Sequence, residues 1–103
     1  METLTISWIF LSVGLASQKL PATYREVSMI ADGINHAVPN HKEMQESITW
    51  LVNKEMILKT KNLYSLSESG EKLLNKARSN SENLIQMWKT IEKDIQEMLN
   101  DAV

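Results

Sequence analysis

The sequence predicts a mainly α domain with one small β-hairpin and a long C-terminal helix. Three observations carry this expectation. Apolar residues recur at helical spacing through most of the chain, three capping-box pairs mark helix starts, and helical spacing breaks around a single polar pair, Lys61 and Asn62. With 103 residues and 43% hydrophobic content, residues 1–103 read as one domain. A chain of that length buries roughly 60–70% of its unfolded surface, enough to fold without disulfides or metal.

The first helix is expected from Thr3 or Thr5, either serving as its cap, to about Ser17. Leu4, Trp8, Leu11 and Leu15 form one stripe on it, and Ile6, Ile9, Phe10 and Val13 another. A helix apolar on two sides needs cover from both, one from the domain core and one from a further helix or a second chain. Gln18 to Ala22, with Pro21, reads as a loop. Thr23 and Glu26 then open a second helix that buries Val27, Ile30 and Ala31 and is expected to end at Gly33. After Pro39, Asn40 and Glu43 open a third helix with Met44, Ile48, Leu51 and Val52 on one side. Met56–Thr60 and Leu63–Leu66 flank Lys61 and Asn62 as a tight hairpin. Ser67 caps a fourth helix carrying Glu68 and Glu71 at its positive dipole end and Leu73 and Leu74 on its apolar side. Ser79 with Glu82 predicts the start of a fifth helix running to about residue 100.

Composition narrows the function. Thirteen acidic against eleven basic residues give a net charge of −2, the wrong sign for gripping nucleic acid by bulk charge, so any DNA contact must come from a local patch. There is no cysteine, which removes thiol catalysis and cysteine-based zinc sites and agrees with a reducing compartment. The apolar run Ile6–Ala16 is interrupted by Ser7, Ser12 and Gly14 and is shorter than the roughly 20 residues of a membrane span. Glu2, rather than a positive charge, precedes that run, which argues against a signal peptide. A soluble cytoplasmic protein without membrane contact is expected.

Residues Ile48 to Leu74, ITWLVNKEMILKTKNLYSLSESGEKLL, carry a resemblance. Leu51 and Val52 close the third helix, Lys54 leads into Met56 and Ile57, Tyr64 and Leu66 return on the second strand, and Ser67 and Gly70 start the next helix. That run, and the order helix, helix, helix, hairpin, helix, resembles a winged helix-turn-helix, similar in overall plan to the MarR and PadR groups of bacterial regulators. The resemblance implies a winged helix-turn-helix, to which the sequence adds a long C-terminal helix, residues 80–101, expected to serve in packing or dimerisation. Glu55 departs from it, standing where glycine is common. So do the long connection between helices 2 and 3 and the short wing.

The resemblance also implies that helix 3 enters the major groove of DNA while the hairpin touches the backbone or the minor groove. The residues then expected at DNA are Lys42, Gln45, Thr49 and Asn53 on helix 3, Lys54 at its end, and Lys59, Lys61 and Asn62 on the hairpin. Glu43 and Glu46 would be repelled by phosphate, and the lysines can equally be read as a solvated face. At about 100° per residue Trp50 falls toward the outside of helix 3, beside Glu46 and Asn53, where it marks a protein contact unless another helix covers it.

Leu84, Trp88, Ile91, Ile95, Met98 and Ala102 fall at spacings of four, three, four, three and four, a heptad-type seam. It predicts a homodimer joined through helix 5 together with helix 1, the alternative being a monomer in which the two helices satisfy each other. His36 and His41, with Asp32 and Glu43 nearby, fit no established metal-ligand spacing. With three glycines there is no phosphate-binding loop, and no catalytic constellation is legible, so neither an enzyme nor a cofactor is expected. Two functions stand: a DNA-binding regulator, or the same fold used for protein contact.

Overall fold

A helix that is apolar around most of its circumference is stable only when surrounded. In the computed structural model, which describes residues 2–101, α1 (Thr3–Ala16) is that helix, and every residue from Ile6 to Gly14 is buried. It is wrapped by α2 (Tyr24–Asn35), α3 (His41–Asn53) and α5 (Leu84–Asp101), with lesser contact from α4 (Glu68–Ser79). The two stripes read from the sequence are thus both covered within one chain. Leu4, at the open end of its stripe, stays 50% exposed. The protein is mainly α with a small antiparallel sheet and a long C-terminal helix.

Polar atoms inside this core are tied locally. Ser7 Oγ donates to Leu4 O (2.9 Å) and Ser12 Oγ to Trp8 O (2.7 Å), so both serines satisfy themselves on preceding helical carbonyls. Trp8 Nε1 donates to Ala31 O (2.9 Å), fixing α2 against α1. Among the described residues, Ser47 Oγ is the buried side-chain polar atom left without a partner.

The sheet has the order β1–β3–β2, from β1 (Ala22–Thr23), β2 (Ile57–Thr60) and β3 (Leu63–Leu66). The hairpin register pairs Ile57 with Leu66 and Thr60 with Leu63 around Lys61 and Asn62, as the sequence predicts. β1 was not legible: two residues are too short to show alternation, and the strand exists only because Ala22 and Thr23 pair with Tyr64 and Leu63 across the fold. Gln18–Ala22 is therefore not wholly loop.

Helix ends follow the capping residues where those are free to act. Both boxes form at α2 and α3, with Glu26 N donating to Thr23 Oγ1 (3.2 Å) and Glu43 N to Asn40 Oδ1 (2.7 Å). The Glu26 carboxylate is held below the usual glutamate range, first by the Thr23 backbone N–H and then by its hydroxyl. Ser67 caps α4 through the Gly70 N–H (3.0 Å). Two expected boundaries and one expected cap are corrected. α1 starts behind Glu2, with no side-chain cap, because Thr3 is already helical and its hydroxyl turns to Glu92. α2 continues past Gly33 because Ile34 is buried beyond it, and ends with His36 in the left-handed conformation (φ 54°). α4 retains Ser79 as its last residue, since Ala77 packs in the core, so the Ser79–Glu82 box does not form. α5 starts four residues later than that box places it, where Gln86 N donates to Asn83 Oδ1 (2.9 Å).

The exit of α3 explains the residue that departs from the resemblance. Glu55 N donates to Val52 O (3.0 Å) and Met56 N to Leu51 O (2.9 Å), the paired reverse bonds that close a helix through a left-handed residue. That residue is Glu55, with φ 59°. A side chain in this region costs about 1–2 kcal/mol, which glycine avoids. Glu55→Gly is therefore expected to stabilise the fold by about 1 kcal/mol in denaturant unfolding. A variant no more stable than the parent would mean the turn is unstrained.

Candidate nucleic-acid interface

α3 divides sharply between its two sides. Met44, Ser47, Ile48 and Leu51 are buried against the rest of the domain, while His41, Lys42, Glu46, Thr49 and Asn53 are exposed and Gln45 and Val52 half-buried. Lys42, Gln45, Thr49 and Asn53 follow spacings of three, four and four, so they share one outward stripe. The helix residues expected at DNA are thus brought together. β2 packs against α3.

The two acidic residues that argued against phosphate are both engaged. Glu43 Oε1 accepts the Asn40 N–H (2.9 Å) in the capping box. Glu46 lies 4.0 Å from Lys42 Nζ, an exposed pair one helical turn apart that is worth little and is easily exchanged for another partner. Between residues 41 and 62 lysine outnumbers acidic residues four to three, so the patch is basic only slightly and only locally.

Lysine placement is helped by aromatic rings. Lys54 Nζ sits 5.8 Å from the centre of the Trp50 ring, and Lys59 Nζ 5.9 Å from that of Tyr64, which is itself buried in β3. Each contact holds a long flexible side chain near the surface at modest gain. Lys61 and Asn62 are exposed at the hairpin tip, with Lys61 in the left-handed conformation (φ 58°) that a tight turn requires.

Trp50 is half-buried, packed against the edge of the core. Together with Gln45, Glu46, Thr49 and Asn53 it lines a shallow groove along the outer face of α3. The sequence placed Trp50 beside Glu46 and Asn53 but gave no sign that Thr49 and Gln45 complete an apolar-floored groove with it.

The α5 seam meets α1 in the same chain. Ile91 and Ile95 are fully buried, Trp88 and Met98 half-buried, and Leu84 36% exposed at the start of the helix. Trp88 stacks on Trp8 with ring centres 6.3 Å apart, and its Nε1 donates to Leu4 O (3.2 Å) and Ser7 Oγ (3.0 Å). Ala102 lies outside the described residues. His41 Nδ1 lies 3.2 Å from the Tyr24 hydroxyl, and among the described residues no three histidine, aspartate or glutamate side chains group as metal ligands. Nor, among those residues, is any helix long and apolar enough to cross a membrane.

No protein-family model, curated protein sequence or solved structure matches this chain.

Proposed function

We propose that the chain is a winged-helix DNA-binding protein of the transcriptional-regulator type, reading duplex DNA with α3 and holding phosphates with the β2–β3 hairpin. The observation that carries this reading is the single outward stripe of exposed Lys42, Thr49 and Asn53 with half-buried Gln45, all hydrogen-bonding side chains, on a helix whose opposite side is buried. Lysine and glutamine or asparagine are suited to phosphate and base edges, and a helix backed by a core is rigid enough to present them. The element order helix, helix, helix, hairpin, helix supports it too, as does the use of Glu43 in the cap of α3. On this reading the protein acts in the cytoplasm, without catalysis or a cofactor. The pairing of two copies belongs to the same reading. Leu84 and Ile85 at the start of α5, with Leu4 on α1, are the exposed apolar residues that a second copy would cover.

Use of the fold for protein contact is the second reading. The half-exposed Trp50 and the acidic overall charge favour it, since tryptophan in a shallow groove is a frequent anchor for a partner. Duplex binding across a salt series separates the two. Affinity is expected to fall steeply with salt, and Lys59→Ala with Lys61→Ala to weaken binding and lower the slope of log affinity against log salt by about 2, close to one unit per lost phosphate contact. No binding at low salt by the folded protein would exclude the DNA reading.

A further inference from the structure

We infer that the groove on α3 reads A·T base pairs, recognising adenine through side-chain amides and thymine through its methyl group; this rests on the DNA-binding reading above. In the major groove adenine offers one acceptor, N7, beside one donor, N6, and a primary amide answers both at once, while thymine presents a methyl group. The groove has both features. Gln45 and Asn53 contribute amides, and Thr49 and Trp50 lie between them in a mainly apolar lining that also includes Glu46. The amides are eight residues apart, about 12 Å along the helix, or about three to four base-pair steps.

A G·C pair finds fewer matching groups here. The bidentate partner of guanine is arginine or lysine, and the arginines of this chain, Arg25 and Arg78, lie on α2 and α4. Lys54 lies over the Trp50 ring, while Lys42 and Glu46, an exposed pair 4.0 Å apart, are the groups on this side that a G·C pair could use. The mainly apolar lining would meet no methyl group on a G·C pair.

The test uses three duplexes of equal length at one salt concentration: A·T-rich, G·C-rich, and the A·T-rich sequence with deoxyuridine for thymidine. The A·T duplex is expected to bind about tenfold more tightly than the G·C duplex. Loss of the thymine methyl groups should cost about fourfold, the value of one buried methyl group. Gln45→Ala or Asn53→Ala should narrow the preference for A·T without changing the salt slope. Trp50→Ala should abolish the thymine–uracil difference. Because Trp50 is half-buried, Thr49→Ser, which deletes only an exposed methyl, provides the same readout without risk to the fold. Equal, salt-sensitive affinity for A·T and G·C would overturn this inference and leave the DNA reading standing. A preference for A·T that survives the uracil exchange would overturn the thymine contact. Failure to bind any duplex at low salt would overturn both.

Discussion

Gly70→Ala is expected to destabilise the fold by about 3 kcal/mol, at the upper end of what overpacking costs. The reason lies where the hairpin rejoins the helices. Met56, just before β2, has its carbonyl oxygen accepting the Ser67 N–H (3.1 Å), which closes the base of the hairpin against the start of α4. Gly70 is buried in the first turn of α4, and a Cβ there would collide with that carbonyl oxygen. The obstruction is backbone on both sides, so no side chain can swing away. Relief requires α4 to lift from the hairpin, which would also strain the Ser67 cap and its bond to Glu55 O. In a chain of this size about 3 kcal/mol corresponds to a fall in Tm of about 10 °C or more, read by thermal circular dichroism. A Tm within a degree or two of the parent would mean that the close approach is not made. The Ser-x-x-Gly pattern therefore has a physical origin: serine caps the helix, and glycine lets it sit on the hairpin.

Ile95→Ala carries the second large effect. Ile95 is fully buried where α5 packs on α1 and α4, and deleting its outer carbons leaves a cavity in the layer that covers the otherwise exposed side of α1. The expected loss is about 2–5 kcal/mol in urea unfolding. Because the deleted contact lies within one chain, the difference between variant and parent should be the same in dilute and concentrated protein. A loss that appears only at high concentration would place Ile95 at a contact between chains and contradict the packing described above.

Much of this architecture could be read from local chemistry. The boxes at Thr23 and Asn40, the Ser67 cap and the Lys61–Asn62 turn were legible because each depends on residues three or four positions apart. What escaped depends on distant partners. β1 exists through its pairing with β3, and the start of α5 was misplaced because burial of Ala77 keeps Ser79 inside α4. The cover of α1 could be stated only as a need, since spacing shows that α5 has an apolar seam without showing which helix it meets. The site was legible to the same degree. The outward stripe of α3 and the Glu43 bond to the Asn40 N–H follow from periodicity and the capping box, whereas the position of Trp50 between solvent and core and the Lys59–Tyr64 contact depend on tertiary packing. Glu55 was conspicuous in sequence as a missing glycine, and its positive φ gives the structural reason why glycine suits that place.

The most direct test of the central proposal is an amide NMR titration of the protein with a short A·T-rich duplex at low salt. Binding through α3 and the hairpin predicts shifts concentrated between residues 41 and 62, strongest at Gln45, Thr49, Asn53, Lys59 and Lys61, with α5 unchanged. Shifts centred on Leu84 and Ile85, or none at all with the fold intact, would contradict it.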